Sequence, residues 1–185
     1  MLKEIRFHGR GGQGVVIASE MLAYALVLEG KYASSLPMFG GERRGALVYA
    51  FLRFDDKPVR DTHQVYEPDC VVIIDPSQAK SATALHGLKG DGILVANTPS
   101  HSLELSHRSL KVIALVDATG IALEEIKRAI GNTCMLGAIV KVTGWVKLES
   151  VLSSLKMYFK GEAWERNAKA ARRGYDSVKI LRVGE

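Results

Sequence analysis

The first thirty residues carry the most regular pattern of apolar and polar positions in the chain. Over residues 2–8 apolar and charged side chains alternate, which predicts a strand. Over residues 15–29 nearly every position is apolar, which predicts a helix that is covered on most sides and ends at Gly30. The six residues between them, 9–14, include four glycines, so we expect a sharp turn from strand into helix.

Short apolar runs recur further along the chain and are separated by longer connections. The best strand candidates are 46–54, 70–74, 93–96 and 111–116, with weaker ones at 31–35 and 59–64. Helical patterns follow at 77–86, 119–130, 133–142, 149–159 and 162 to about 181. Buried strands separated by crossovers favour a parallel sheet. The prediction is an α/β fold: a single domain over residues 1–185, Rossmann-like, with a mainly parallel sheet, helices on both faces and a helical C-terminal part.

Residues 36–45 form the second unusual stretch, because one proline and three glycines predict a loop without regular structure. Glu42, Arg43 and Arg44 stand in succession inside it, bracketed by glycines that include Gly45. Three consecutive charges in a glycine-flanked loop are typical of a contact surface or a binding loop.

Composition narrows the function classes. The 185 residues are 47% apolar and 24% charged, with a formal net charge of +5, which is the profile of a globular protein with a sizeable core. The basic residues of the last helix are mixed with acidic ones, which favours a solvated or subunit-facing surface over a nucleic-acid site. No apolar run is long enough to span a bilayer, and no leader pattern precedes the first strand.

Cys70 and Cys134 are the only cysteines, and both stand in apolar runs. Without a C-x-x-C pair this chain cannot by itself hold a four-cysteine iron–sulfur cluster or a structural zinc ion. We expect both thiols to be buried and reduced, which suits the cytoplasm.

Gly9, Gly11 and Gly14 match the G-x-G-x-x-G pattern of dinucleotide-binding folds, with a strand before them and a helix after them. That function also needs an acidic residue about twenty positions further on, and residues 32–35, Tyr-Ala-Ser-Ser, offer none. A phosphate-binding P-loop is excluded because no Lys-Ser/Thr pair follows the glycines. Two other roles stay open: the loop's N–H groups bind an anion or a partner's carbonyl, or the loop only packs the first helix onto the sheet.

Three polar residues directly follow predicted strands: Asp75, Asn97 and Asp117. In an open parallel sheet the ligand crevice lies beyond the carboxyl ends of the strands, so these residues are candidates for a site. We favour the simpler role of capping helices and stabilising turns. No arrangement of Ser, His, Asp or Cys identifies a catalytic residue, and a structural role is favoured for His8 beside the glycine loop.

Two main motifs stand in order along the chain, the nonapeptide Arg6-Phe7-His8-Gly9-Arg10-Gly11-Gly12-Gln13-Gly14 and the octapeptide Phe39-Gly40-Gly41-Glu42-Arg43-Arg44-Gly45-Ala46. With them the chain resembles the gamma subunit of pyruvate (2-oxoacid):ferredoxin oxidoreductase, and the resemblance covers essentially the full length. Shorter matches follow at 66–69, 116–119, 137–138 and 167–172.

The resemblance implies an enzyme that oxidatively decarboxylates a 2-oxoacid with coenzyme A, giving acyl-coenzyme A, carbon dioxide and reduced ferredoxin. It implies alpha, beta and delta subunits as partners, thiamine diphosphate between alpha and beta, and iron–sulfur clusters as electron carriers. The gamma chain is then required without being the reacting centre, and we expect it to hold none of these cofactors itself.

Residues 42–47 bear on the sub-type within this family. The segment 42–46 resembles the pyruvate and branched-chain types, whereas the 2-oxoglutarate type usually has Glu-Ala-Arg-Gly-Gly there. Leu47 stands where the pyruvate pattern usually has proline. Pyruvate is the favoured oxoacid, and the 2-oxoisovalerate, 2-oxoglutarate and indolepyruvate types are the alternatives within the family.

Both glycine-flanked loops are expected to face other subunits near the cofactor region. The residues concerned are Gly9, Arg10, Gly11, Gly12, Gln13, Gly14, Glu42, Arg43, Arg44 and Gly45. Arginine suits bidentate contacts with carboxylates or phosphates, so the targets are acidic groups of a partner subunit or the phosphates of coenzyme A. At this stage the partner subunit is favoured, because the chain shows no other nucleotide-specific feature. A stand-alone dinucleotide-binding protein is the alternative from another class.

Overall fold

The computed structural model describes residues 1–40, 45–80, 82–100 and 107–183. Three of the predicted site residues, Glu42, Arg43 and Arg44, lie outside the described residues.

One seven-stranded sheet organises the described chain. Its strands are β1 (Lys3–Arg10), β2 (Tyr32–Phe39), β3 (Leu47–Asp55), β4 (Cys70–Ile73), β5 (Gly92–Asn97), β6 (Leu110–Val116) and β7 (Lys179–Arg182). Their spatial order is β2-β3-β1-β4-β5-β6-β7. The four central strands, β1, β4, β5 and β6, run parallel, while β3, β2 and β7 join antiparallel at the two sides. The Rossmann-like α/β fold with a mainly parallel centre is therefore confirmed.

Helices cover the two faces of this sheet unequally. The α-helices are α1 (Val15–Leu28), α2 (Ala118–Glu125), α3 (Asn132–Thr143), α4 (Leu148–Ser154) and α5 (Gly161–Ser177). All five contribute to one large apolar core with Ile5, Phe7 and Val72. The opposite face has a smaller core, in which Leu85 of a 3-10 helix (Ala82–Leu85) packs with Ile73 and Leu94. None of the helices in the described part of the chain is long and apolar enough to cross a bilayer.

The prediction of a loop from residue 36 is wrong for residues 36–39, which continue β2. Pro37 pairs in register with Ala50 of β3. Since β2 is an edge strand, a proline whose missing N–H lies on its free side removes no ladder hydrogen bond.

Other local differences have a common cause, which is that tertiary contacts override local pattern. Residues 77–86 were expected to form one α-helix, but the described part forms two 3-10 segments, Pro76–Lys80 and Ala82–Leu85. The last helix ends at Ser177, and Lys179–Arg182 forms β7 beside β6 instead of continuing the helix. Residues 59–64 form no strand.

Two buried arginines hold the irregular segments of the second face against the sheet. Arg53 of β3 donates to the carbonyl oxygens of His63 and Gln64 and pairs with Glu4 at 2.9 Å. Arg6 of β1 donates to the carbonyls of residues 65, 84 and 86. Because each arginine satisfies several carbonyl oxygens, these segments are fixed without a ladder of their own.

Helices α3 and α5 pack so closely that glycine is required at their crossing. A Cβ on Gly137 would overlap the carbonyl oxygen of Ala171, and one on Gly174 would overlap that of Cys134. The two backbones therefore meet directly, and this contact anchors the C-terminal helix to the core.

Gly137→Ala is expected to destabilise the protein by about 3 kcal/mol, because the added methyl forces α3 and α5 apart. In an exposed helix the same change stabilises by up to about 1 kcal/mol, so the sign of the effect is informative. The measurement is the free energy of unfolding by urea. Gly90→Ala is the control, since a Cβ there meets open space and its backbone does not require glycine. Equal stability of the two variants would contradict the close-packed crossing.

Candidate functional site

The carboxyl end of β1 is the place where the sheet changes direction. From β1 the chain passes through α1 to β2 and β3 on one side, while β4 lies on the other side of β1 and leads on to β5 and β6. In open α/β sheets ligands bind in the crevice at such a point. The glycine loop, residues 9–14, lies there. It comprises the last two residues of β1 and the turn that leads into α1.

The two predicted loops meet at this position as far as the structure describes them. The N–H of Gly11 donates to the carbonyl of Ala46 at 3.0 Å. Arg10 donates from Nη1 to the carbonyl of Gly45 at 3.1 Å. Gly45 and the start of β3 therefore flank the glycine loop, so the described ends of the two loops lie together at one end of the sheet.

Asp75, directly after β4, ties the loop together. Its Oδ2 lies 3.0 Å from Arg10 Nε and accepts from Gln13 Nε2 at 2.9 Å, while its Oδ1 accepts from the N–H of Ser77 at 2.8 Å. Gln13 in turn accepts from the N–H of Arg10 at 2.8 Å. Asp75 was favoured as a simple cap, and it does cap the following 3-10 segment, but it also fixes both long side chains of the glycine loop.

The ionisation of Asp75 follows from this setting. Burial alone would raise the pKa of Asp75, but hydrogen bonds from the Ser77 hydroxyl and N–H and from Gln13, with the charge of Arg10, outweigh it and lower the pKa below 3.8. Asp75 is therefore an anion at neutral pH, and it forms an ion pair with Arg10.

Gly14 begins α1 in the left-handed conformation, with φ of 71°. A Cβ there would also overlap the side-chain amide of Asn132, whose Nδ2 donates to the Gly14 carbonyl at 3.3 Å. Asn132 opens α3, so it fastens the first turn of α1 to that helix. The N-cap residue of α1 is a glycine, so it supplies no side-chain hydrogen bond to the N–H groups of this turn.

A cleft of about 480 Å³ opens beside this turn. We call it the glycine-loop cleft. Its glycine side is formed by Arg10, Gly11, Gly12 and Gly14, and Asn132 and Asn167 add amides. The remaining lining is mostly apolar and includes Val16, Ile17, Phe39, Ile126, Ile130 and Phe159, with the exposed Arg128 at the rim. A small number of polar groups in a mostly apolar concave surface is typical of a small-molecule site.

A buried polar chain supports the loop from behind. Gln78 donates to the carbonyl of Gly9 at 2.9 Å, and Arg6 Nε donates to His8 Nε2 at 3.0 Å. Burial, together with the nearby charge of Arg6, lowers the pKa of His8 to about 3, so the ring is neutral and accepts this bond. The structural role expected for His8 agrees with this geometry.

Asn97 and Asp117 have structural roles near the same end of the sheet. Asn97 donates to the carbonyl of Ile74 and accepts from the N–H of Ala118. Asp117 caps α2 by accepting from the N–H of Gly120 at 2.8 Å. Neither side chain lines the glycine-loop cleft.

The strand next to β1 on its outer side is β3, which runs antiparallel and starts at Leu47 opposite Arg10. In a dinucleotide-binding fold a parallel second strand ends at that position and supplies the acidic residue for the ribose. Here β2 is one strand further out and is antiparallel to β3. The topology therefore removes the position from which such a residue acts.

A family model described as pyruvate ferredoxin/flavodoxin oxidoreductase matches residues 4–177 of this fold. The chain belongs to this family. Its sequence is 52% identical to the common gamma subunit of the pyruvate/ketoisovalerate oxidoreductases of Pyrococcus abyssi, over 97% of this chain and 99% of the relative. It is 48% identical to the gamma subunit of the NADH-dependent phenylglyoxylate dehydrogenase of Aromatoleum evansii, over 97% and 96%.

A solved structure supports the same assignment. The pyruvate oxidoreductase subunit PORC of Thermotoga maritima superposes with a TM-score of 0.85 at 45% identity, covering 97% of this chain and 98% of that one. The predicted function, a gamma subunit of a multi-subunit 2-oxoacid oxidoreductase, is confirmed. Such a subunit acts together with other chains of its complex.

The glycine loop was predictable from the sequence, whereas most of the residues that support it were not. Asn132, at the start of α3, carried no signal for its contact with Gly14, because the two residues are 118 positions apart in sequence. Gln78 carried no signal, because its contact with Gly9 spans 69 positions in sequence. A signal was present for Asp75, since it follows a buried strand at the edge where the glycine loop was expected.

Asp75→Asn is expected to lower the free energy of unfolding by about 2 kcal/mol near neutral pH. The reason is that the asparagine side chain has no charge and has an NH₂ group in place of one oxygen, whereas Arg10 Nε and Gln13 Nε2 both need an acceptor there. The pKa of Asp75 is lowered in the folded state, so its ionisation stabilises the fold above pH 3.8. The difference between wild type and variant should therefore shrink as the pH falls below that value.

Urea unfolding across acidic pH tests this prediction. Asp91→Asn is the matched control, since Asp91 is exposed in a turn away from the loop. A difference for Asp75→Asn that does not change with pH would contradict the role of the charge.

Proposed function

We propose that this chain is the gamma subunit of a complex with alpha, beta and delta subunits that converts pyruvate and coenzyme A to acetyl-coenzyme A and carbon dioxide while reducing ferredoxin. Its own contribution is to hold coenzyme A in the glycine-loop cleft. The single observation that carries this proposal is the position of that cleft at the switch point of the sheet, beside the first turn of α1, whose N-cap is a glycine.

Coenzyme A suits the cleft chemically. Its phosphates match the positive end of α1 and the backbone N–H groups of its first turn, which follows a glycine at the N-cap. Its long pantetheine arm is largely apolar and suits a lining that includes Val16, Ile17 and Phe159. Arg128 at the rim adds positive charge. Coenzyme A is a substrate here, and the chain supplies positioning without a catalytic residue of its own.

This assignment reverses the expected preference for a partner's acidic groups. That preference was based on the lack of any other nucleotide-specific feature in the sequence, and the glycine-loop cleft now supplies one. The arginine contacts expected for a partner subunit are also reduced, because Asp75 lies 3.0 Å from Arg10 Nε and also binds Gln13. A neutralised arginine attracts partner carboxylates weakly. Contacts between the loops and other subunits are then a secondary role of the same surface.

In this proposal, the oxoacid is selected by other subunits of the complex and not by the gamma chain. One relative is named as common to pyruvate and ketoisovalerate oxidoreductases, and another belongs to a phenylglyoxylate dehydrogenase. Chains about half identical to this one thus serve oxoacids of different size. Pyruvate is proposed from the 42–46 motif and from relatives named pyruvate synthase, with 2-oxoisovalerate as the alternative substrate.

Thiamine diphosphate and the iron–sulfur clusters are assigned to the other subunits in this proposal. The two cysteines of the chain are buried and free, at positions 70 and 134. Burial raises the pKa of both thiols, that of Cys134 to about 12, so neither is a ready thiolate ligand. Reduced thiols fit the cytoplasm, which we propose as the location.

Ile17→Trp tests the coenzyme A proposal in the assembled complex. Ile17 lines the cleft and its side chain is partly exposed, so the larger ring fills the site without entering the core. We expect the apparent KM for coenzyme A to rise at least tenfold, with the KM for pyruvate and the elution of the complex in size-exclusion chromatography unchanged. Val27→Trp is the control, since Val27 is an exposed residue of α1 outside the cleft.

The alternatives give different results. Weaker assembly, with an unchanged apparent KM for coenzyme A in the complex that still forms, would assign the cleft to a partner subunit and contradict the proposal. Tight binding of NAD or FAD by the purified chain would favour the stand-alone dinucleotide-binding protein.

A further inference from the structure

A second cleft lies on the face of the sheet that the α-helices leave open. It measures about 530 Å³ and lies over β1 and β3, with Arg6, His8 and Tyr49 in its lining and Gln64 and His86 nearer the rim. We call it the rear cleft. Its volume is within the range of small-molecule sites. Nothing in the proposed handling of coenzyme A uses it.

The charge of the rear cleft is unbalanced. Arg6 and Arg10 line it, and no aspartate or glutamate does among the described residues. Asp75 compensates Arg10 from the side of the glycine loop. Arg6 is only 9% exposed and makes four hydrogen bonds, all to neutral acceptors. These acceptors are His8 Nε2 at 3.0 Å and the carbonyl oxygens of Val65, Ala84 and His86 at 3.3, 3.0 and 2.7 Å.

Carbonyl dipoles orient the guanidinium of Arg6 but do not cancel its charge. Buried charges in proteins are usually paired with an opposite charge, because desolvation of an unpaired ion is costly. In the described part of the chain no carboxylate pairs with Arg6. His8 is neutral and faces Tyr49 edge-on at 5.0 Å, so it supplies no counter-charge.

We propose that the rear cleft binds a small organic anion that carries a carboxylate or phosphate group. The field of Arg6 attracts the anion into a low-dielectric cleft, where a single charge acts more strongly than at the surface. Tyr49 and Tyr66 offer aromatic surface, and Gln64 offers an amide for hydrogen bonding. The concave shape and the depth of Arg6 favour a small molecule over an acidic segment of another subunit.

Gln64→Glu is the most informative change, because it adds a carboxylate of nearly the same shape to the cleft that Arg6 lines and leaves the acceptors of Arg6 in place. Replacing Arg6 itself would release residues 65, 84 and 86 and confuse binding with folding. Gln64→Met is the neutral control at the same position. Thr62→Glu controls for added charge, since Thr62 is exposed and lies outside the cleft.

The experiment titrates the ¹⁵N-labelled full chain with inorganic phosphate, pyruvate and citrate, and follows the Nε–H signal of Arg6 and the ring signals of His8 by NMR. We expect saturable shifts of these signals with at least one probe. Gln64→Glu should weaken that binding about tenfold or more, as expected for a carboxylate a few ångströms from the anion. Gln64→Met and Thr62→Glu should change it less than threefold.

Three results would overturn the proposal. One is the absence of any saturable shift at Arg6 and His8 with all three probes. Another is equal binding by wild type and Gln64→Glu. The third is protection of the cleft only in the assembled complex, which would assign it to an acidic segment of another subunit. None of these results bears on the KM for coenzyme A, so this proposal and the one for the glycine-loop cleft fail separately.

Discussion

The carboxylate of Asp75 holds together the end of the molecule on which the proposed function depends. It lies within 3.0 Å of donors from Arg10, Gln13 and Ser77, which belong to the glycine loop and to the segment after β4. These contacts fix both long side chains of the loop, Arg10 and Gln13, and so hold the turn that leads into α1. The first turn of α1 therefore lies at the switch point of the sheet with its backbone N–H groups next to a mostly apolar cleft.

The unequal cover of the two faces explains much of the remaining structure. On one face five α-helices build a large core, and the Gly137–Gly174 crossing ties the last helix to it. On the other face, Arg6 and Arg53 hold irregular segments by binding their carbonyl oxygens. That arrangement leaves a concave surface over β1 and β3, where an ordinary crossover helix would have filled the space.

The elements that were predictable from the sequence are those specified by local pattern. The strand–loop–helix unit at the N-terminus follows from alternation, four glycines and a long apolar run, and the buried central strands follow from their apolar runs. Pro37 in β2 and the strand β7 were not predictable, because both depend on lying at an edge of the sheet. The role of Asp75 was predictable in part. Its position directly after a strand marked it as a candidate, but the sequence did not indicate which residues it contacts.

The family assignment and the geometry address different questions. The comparisons establish which kind of subunit this chain is. Relatives named for different oxoacids support the proposal that the gamma chain does not select the oxoacid. The antiparallel β3 beside β1 argues against a dinucleotide site in spite of the G-x-G-x-x-G pattern. A loop that the sequence alone associates with NAD is thus better matched to a ligand bound at the helix terminus and along the apolar cleft.

The most direct measurement is amide hydrogen exchange in the assembled complex, with and without coenzyme A. We predict that coenzyme A slows exchange over residues 11–17, which cover the turn of the glycine loop and the first turn of α1. Exchange over residues 27–32, at the far end of that helix, should not change. Unchanged exchange over residues 11–17, at a coenzyme A concentration that saturates turnover, would contradict the central claim that this loop holds the substrate.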